Sequence, residues 1–141
     1  MQKNNLVIYC DGGSRGNPGP AASAFVATKN EEIVYKESKF LGIATNNVAE
    51  YTAVLLAVTW LSENLIFNHY PLIINLDSQL IERQLNGSYK VKNINLKKFF
   101  LEIKNIIREN HLAVKFVWNY RSKNVLADAL ANEELDNHKS L

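Results

Sequence analysis

The stretch from Leu6 to Pro20 limits most strongly what this chain can fold into. It begins with apolar and β-favouring residues over 6–10, which predict a buried strand, and this run ends at one carboxylate, Asp11. A strand covered on both faces tolerates an acid only at its end, where water or a cation reaches it. Glycine, asparagine and proline follow over 12–20, and glycine lets other groups approach the backbone closely. An Asp-Gly pair is also typical of a hairpin turn, so this stretch alone leaves both interpretations open.

The composition is that of one soluble domain over residues 1–141. Hydrophobic residues make up 47% of the chain and charged residues 21%, which excludes a disordered protein. The net charge of +2 is too small to indicate a polyanionic partner by itself. Cys10 is the only cysteine, so no internal disulfide forms. With no signal peptide or transmembrane run in sight, we expect a cytoplasmic monomer without a membrane partner.

Hydrophobic periodicity predicts five strands and four helices. The strands are Leu6–Cys10, Ala21–Thr28, Glu32–Phe40, Leu72–Leu76 and Leu112–Trp118. The helices begin at caps Asn47, Asp77-Ser78, Asn95 and Asn124, and the first two run to about Asn64 and to Leu85. Hairpins join the first three strands, and strand–helix–strand units make the others parallel. The expected fold class is therefore α/β, a mixed sheet of three antiparallel and two parallel strands flanked by helices.

Four carboxylates are predicted to meet at one edge of this sheet. Asp11 and Asp77 follow the first and fourth strands, and ligands collect at the carboxyl ends of parallel strands. Glu50 and Asp128 lie near the starts of two helices and can point back over the same edge. Four carboxylates without histidine or thiol partners suit Mg²⁺ or Mn²⁺. Two such ions about 3.5–4 Å apart can clamp the attacking and leaving oxygens of a phosphodiester.

Each of these acids also has a purely structural interpretation. Glu50 stands three residues after Asn47, the spacing of a capping box, and Asp77 is suited to an N-cap. Asp128 lies where the helix dipole favours a negative charge. The functional interpretation is favoured because it accounts for all four acids together.

Four segments carry a resemblance that covers nearly the whole chain. They are Tyr9–Pro20, Thr45–Tyr51, Asp77–Gln79 and Asn124–Asn132. In this order, and on this pattern of strands and helices, they resemble the type 1 ribonucleases H, in the form without a basic protrusion or an N-terminal hybrid-binding domain. The resemblance implies the ribonuclease H-like fold and an endonuclease that hydrolyses the RNA strand of RNA–DNA hybrids.

The same resemblance implies roles for individual residues. It makes Asp11, Glu50, Asp77 and Asp128 both catalytic residues and ligands of two Mg²⁺ ions, which Mn²⁺ can replace. The products then carry 5′-phosphate and 3′-hydroxyl ends, and Glu50 accepts a hydrogen bond from a ribose 2′-hydroxyl. The implied substrate contacts are Gly12, Gly13, Ser14, Thr45, Asn46, Asn47 and Gln79.

The chain departs from many members of that family before the last acid. Where they carry a histidine, Trp118 stands here, and Arg121 is the candidate that contributes a charge in its place. Nine basic residues lie between positions 88 and 123 against two acidic ones. Lys90 and Lys92 are therefore expected to follow the phosphates of the hybrid, although such a run is also typical of a solvated helix face.

Two other functions remain open from the sequence. A nucleic-acid-binding module of the same fold, with weak or no catalysis, is favoured by Trp118 and opposed by the intact set of acids. A glycoside hydrolase built on a pair of carboxylates is opposed by the number of acids, the basic strip and the lack of an aromatic sugar cleft.

Overall fold

One mixed sheet forms the centre of the molecule, and the number and pairing of its strands confirm the predicted fold class. The computed structural model describes residues 5–138, so the polar ends at 1–4 and 139–141 lie outside the described residues. The strands are β1 (Leu6–Ser14), β2 (Gly19–Lys29), β3 (Glu32–Ala44), β4 (Leu72–Leu76) and β5 (Val114–Trp118). Their order across the sheet is β3-β2-β1-β4-β5. The β1–β2 and β2–β3 pairs are antiparallel, and the β1–β4 and β4–β5 pairs are parallel.

Helices cover this sheet. They are α1 (Asn46–Glu63), α2 (Gln79–Leu85), α3 (Ile94–Glu109) and α4 (Val125–Asn137), with short 3₁₀ helices at Leu65–His69 and Arg121–Lys123. The core lies between α1 and the sheet, where Leu6, Ile8 and Ile74 are fully buried because alternate residues of a strand point to the same face. Helix α3 packs against α1, and α4 packs against β1, β2 and β3.

The sequence predicted that β1 ends at Cys10, but the strand runs past Asp11. It continues to Ser14 because β2 stays paired with it, from Asp11 opposite Ala24 to Ser14 opposite Ala21. The chain reverses over residues 15–18, where Gly16 has a φ of 95° that favours glycine. The Asp-Gly pair is therefore not the hairpin turn.

Pairing also lengthens the next two strands and shortens the last one. Gly19 pairs with Ala44, so β2 begins two residues earlier and β3 ends four residues later than predicted. In contrast, β5 pairs with β4 only from Val114 onward, two residues after the predicted start. Pairing partners set these limits, and they are not visible in the local sequence.

Two helix caps differ from the prediction by two residues. Thr45, not Asn47, caps α1, and its Oγ1 accepts a hydrogen bond from Val48 N at 3.2 Å. Asn93, not Asn95, caps α3, and its Oδ1 accepts from the backbone of Asn95 at 2.9 Å. Each cap is the residue whose backbone is still extended when the helix begins. Because the cap is Thr45, Glu50 lies beyond the capping-box position and is available for another role.

Two further observations concern the single cysteine and the hydropathy of the helices. Cys10 is buried in the core, and burial raises the pKa of its thiol. Within residues 5–138, no helix is both long enough and apolar enough to cross a bilayer.

Candidate active site

The register of β1 and β4 places two acids side by side. These strands run parallel, and Tyr9 lies opposite Asn75. Two residues further on, the same register brings Asp11 next to Asp77. Because side chains alternate along a strand, both carboxylates project from the same face and edge of the sheet.

A close approach of helix α1 to β1 adds Glu50 to this pair. A Cβ atom at position 12 would lie 2.6 Å from Glu50 N and closer still to the Ala49 carbonyl, so only glycine fits there. Ser23 Oγ of β2 donates to the same Ala49 carbonyl at 2.5 Å. The start of α1 is thus fixed on the sheet, and carboxylate oxygens of Asp11, Glu50 and Asp77 lie within 4.8 Å of one another.

Helix α4 brings the fourth acid from the other side. Asn124 precedes the helix, is 3% exposed, and its Nδ2 donates to the Cys10 carbonyl at 2.8 Å. Its side chain makes no capping hydrogen bond, contrary to the role predicted for it. Asp128 N donates to the Asn124 carbonyl at 3.0 Å, and the Asp128 side chain lines the same cavity as Asp11 and helps to raise the pKa of Asp11. One buried amide therefore connects the strand that carries Asp11 to the helix that carries Asp128.

The electrostatics of the cluster favour a bound cation. Burial raises the pKa of Asp11 to about 8, and the charges of Asp77, Asp128 and Glu50 add to this shift. Burial also raises the pKa of Glu50 to about 8, with Asp77 as the next cause, while Ser78 and Arg121 act in the opposite direction. Carboxylates this close repel one another unless a cation lies among them.

The set of donor atoms fits a hard divalent cation. Asp77 Oδ2 is buried and has no hydrogen-bond partner among the described residues. Arg121 Nε lies 3.6 Å from it, beyond hydrogen-bond distance. A buried carboxylate oxygen without a partner is costly, and coordination by a cation removes that cost.

The surrounding cavity separates the predicted substrate residues into two groups. The cavity has a volume of about 310 Å³, and its lining includes Asp11, Glu50 and Asp128. The predicted contacts that also line it are Gly12, Gly13, Ser14, Asn46 and Arg121. The predicted contacts outside its lining are Thr45, Asn47, Gln79, Lys90 and Lys92.

Arg121, and not Trp118, reaches the acids before α4. Trp118 is the last residue of β5 and packs against Tyr120, with 5.0 Å between the ring centroids. Arg121 lies in the following 3₁₀ helix and lines the acid cavity. The structure therefore puts a guanidinium group, 77% exposed, at this side of the cluster.

Comparison with known proteins is consistent with this architecture. Residues 9–134 match the family described as Reverse transcriptase-like. The solved structure of LC11-RNase H1, isolated from compost by a metagenomic approach, superimposes with a TM-score of 0.89 at 40% identity. The match covers 96% of this chain and 98% of that one. The chain belongs to the type 1 ribonuclease H family.

Two curated relatives of this chain differ greatly from each other in length. Ribonuclease H of Helicobacter acinonychis is 33% identical over 146 residues, and the match covers 92% of each protein. Bifunctional protein Rv2228c of Mycobacterium tuberculosis is 37% identical over 133 residues, which are 93% of this chain. That match spans 35% of the mycobacterial protein, so this chain corresponds to about a third of it.

Two candidate substrate-binding residues of this family member were not predicted from the sequence. Arg15 and Asn132 line the acid cavity. Arg15 is the only charged residue of the segment 12–20, which was the available signal. Asn132 ends the segment Asn124–Asn132 that carried the resemblance, but the packing of α4 on the sheet is what brings it to the cavity.

The basic strip also divides in the structure. Lys104 is a structural residue, since its Nζ donates to the Leu85 carbonyl, and burial lowers its pKa. In contrast, Lys90, Lys92 and Lys97 line a separate groove of about 530 Å³ together with Tyr89. Three lysines and two aromatic residues, Tyr89 and Phe100, thus line a second concave surface on this family member.

Proposed function

We propose that this chain is a ribonuclease H, an endonuclease that hydrolyses the RNA strand of RNA–DNA hybrids. The observation that carries the proposal is the carboxylate cluster, in which carboxylate oxygens of Asp11, Glu50 and Asp77 lie within 4.8 Å of one another and Asp128 lines the same cavity as Asp11 and Glu50. Membership of the type 1 family supports it, and LC11-RNase H1, at 39% identity, has been solved in complex with an RNA/DNA hybrid.

The proposed cofactor is a pair of Mg²⁺ ions, with Mn²⁺ as a substitute, held by the four acids. When bound, these ions supply Lewis-acid charge and an activated water for in-line hydrolysis, leaving 5′-phosphate and 3′-hydroxyl ends. Asp11 is buried and the other three acids are partly buried, so electrostatic interactions with a bound cation would be stronger here than at a fully exposed surface. Glu50 accepts a hydrogen bond from the ribose 2′-hydroxyl, the group that distinguishes RNA from DNA.

Neighbouring side chains are already oriented for substrate. Asn46 Oδ1 accepts hydrogen bonds from Ser14 N at 2.8 Å and from Ser14 Oγ at 3.2 Å. These bonds hold the end of β1 against the start of α1. Because they use Asn46 Oδ1, the Nδ2 amino group of Asn46 is left as a donor for the substrate. The exposed Asn47 and Gln79 lie in the first turns of α1 and α2 and complete the proposed polar contacts with the minor groove.

A second surface supports binding of the duplex backbone. The groove formed by Tyr89, Lys90, Lys92 and Lys97 offers positive charge that follows phosphates and a ring that packs on a sugar. Thr45 lines a third groove together with Lys98. We propose that this groove binds another phosphate of the duplex. A monomeric state and a cytoplasmic location stay predictions.

The test is cleavage of an RNA–DNA hybrid labelled on either strand, with Mg²⁺, with Mn²⁺ and with EDTA. The unmodified chain should cut only the RNA strand and only with a metal. Asp11→Asn should lower the rate by roughly 10²–10³-fold or more, because one group that stabilises the reacting charge is lost. Glu133→Gln is the matched control, since Glu133 is an exposed acid on α4 outside the acid cavity.

Each other outcome has a definite meaning. Hybrid binding without cleavage under either metal would contradict the enzyme and support the binding-module alternative. Cleavage that persists in EDTA would contradict the proposed role of the four acids.

A further inference from the structure

The loop that connects β1 to β2 holds Arg15 at a fixed point beside the acids. Arg15 N donates to the Pro20 carbonyl at 2.8 Å, which closes the loop. A Cβ atom at Gly19 would collide with the Arg15 carbonyl, so the backbone here is closely packed. The Arg15 side chain therefore extends from a well-defined base.

Within residues 5–138, the ion pair and the hydrogen bonds of that side chain are all exposed to solvent. Its Nη2 lies 2.8 Å from Asp136 Oδ1, and 3.5 Å from both Asn132 O and Asn132 Oδ1. The side chains of Arg15 and Asp136 are 41% and 62% exposed. Exposed ion pairs contribute about 0–1 kcal/mol, so another anion can replace Asp136 easily.

The position of Arg15 indicates which anion can replace Asp136. Asp128, Asn132 and Asp136 follow one another at intervals of four residues and share one face of α4, so the last two lie about 6 and 12 Å along the helix from Asp128. Arg15 lines the cavity of the acids on this side. Arg121 lies before the start of the same helix, near Asp77. Guanidinium groups thus stand on both sides of the acids along α4.

We propose that Arg15 exchanges Asp136 for a phosphate of the nucleic-acid strand that crosses the acids, so that Asp136 is a built-in competitor of the substrate. This rests on the proposed function, since it requires a phosphodiester strand at the four carboxylates. Arginine suits the exchange because its planar guanidinium binds carboxylate and phosphate in the same two-pronged geometry.

The experiment measures hybrid affinity in EDTA, by fluorescence anisotropy of a labelled hybrid over a range of salt concentrations. Arg15→Gln should weaken binding about tenfold, the value of one charge-assisted hydrogen bond. It should also reduce the slope of log affinity against log salt by about 0.9, the contribution of one phosphate contact. Asp136→Asn should strengthen binding several-fold, because it removes the competitor.

The double variant Arg15→Gln/Asp136→Asn separates exchange from a general charge effect. If Asp136 acts only through Arg15, the gain from Asp136→Asn disappears in the Arg15→Gln background. A gain that persists there overturns the proposal. So does equal weakening in both single variants, which is expected if the pair merely fastens the loop to α4.

A parallel cleavage assay of the unmodified chain with Mg²⁺ keeps the two proposals distinct. Cleavage by the unmodified chain, together with unchanged hybrid affinity in Arg15→Gln, overturns the role of Arg15 and leaves the nuclease intact. Absence of both cleavage and hybrid binding in the unmodified chain overturns the nuclease, and the exchange falls with it.

Discussion

Gly12 is the residue at which the backbone of β1 comes closest to the first turns of α1. The missing side chain allows the Ala49 carbonyl and Glu50 N to approach the strand. The sequence pointed to this glycine because it follows Asp11, and the packing supplies the physical reason. A single missing methyl group thus determines how far Glu50 stands from the other acids.

Gly12→Ala should therefore damage both stability and the site. Accommodating the new methyl group requires α1 to move away from β1, and overpacking of this kind typically costs about 1–3 kcal/mol. Because Glu50 moves with α1, the Mg²⁺ concentration required for half-maximal cleavage should rise. Urea denaturation and a Mg²⁺ titration of the cleavage rate measure the two effects.

Gly13→Ala is the matched control for stability. A Cβ atom there would meet only Asn46 Oδ1, at the ordinary contact distance of 3.8 Å. If both alanine variants unfold at the same urea concentration, the close approach at Gly12 does not determine the position of α1.

At the scale of elements, the Asn124 side chain attaches α4 to the sheet next to the acids. Asn124→Ala removes the hydrogen bond to the Cys10 carbonyl and leaves that carbonyl buried without this donor. We expect a loss of about 1–3 kcal/mol in the free energy of unfolding. Since Asp11 follows Cys10 and Asp128 lies one turn into α4, the variant should also need more Mg²⁺ for cleavage.

Asn86→Ala distinguishes attachment of α4 from a general loss of stability. Asn86 Nδ2 likewise donates to a strand carbonyl, that of Phe116 at 3.1 Å, and it lies outside the acid cavity. This variant should lose stability while its Mg²⁺ requirement stays unchanged. A similar rise in both variants would show that the metal response only follows global stability.

The elements also show what the sequence could reveal. Apolar periodicity predicted all five strands and four helices, because burial of one face imposes a period on the sequence. The limits of β1 and β3 were wrong because they depend on pairing with β2, which no local pattern records. The four acids were predictable from their places at strand and helix ends. The structural role of Asn124 was not, because its partner lies 114 residues away.

At the scale of the whole molecule, charge is unevenly distributed. The net charge is only +2, yet Asp11, Glu50 and Asp128 line one cavity with Asp77 beside them, while three lysines line another groove. This separation suits a polyanion whose phosphates bind at the lysine groove and whose reacting phosphate meets a cation held by the acids. It also means that folding forces acids together that are far apart in the unfolded chain.

Stability without metal should therefore fall as the pH rises. Asp11 and Glu50 have ordinary pKa values of 3.8 and 4.5, and in the fold both are raised to about 8. Between these values the folded state binds more protons than the unfolded state, so the free energy of unfolding decreases from about pH 4 to about pH 8. Mg²⁺ binds the ionised carboxylates, so it should raise the melting temperature more at pH 8 than at pH 5.

Thermal unfolding in EDTA and in Mg²⁺ across this pH range measures both effects. Asp11→Asn cannot ionise at position 11 and relieves the repulsion on its neighbours, so its metal-free melting temperature should depend less on pH. The exposed acid Glu133 lies outside the acid cavity, and Glu133→Gln should keep the full dependence. If the metal-free melting temperature of the unmodified chain instead rises from pH 5 to pH 8, the acids are not forced together, and the electrostatic reason for a bound cation is lost.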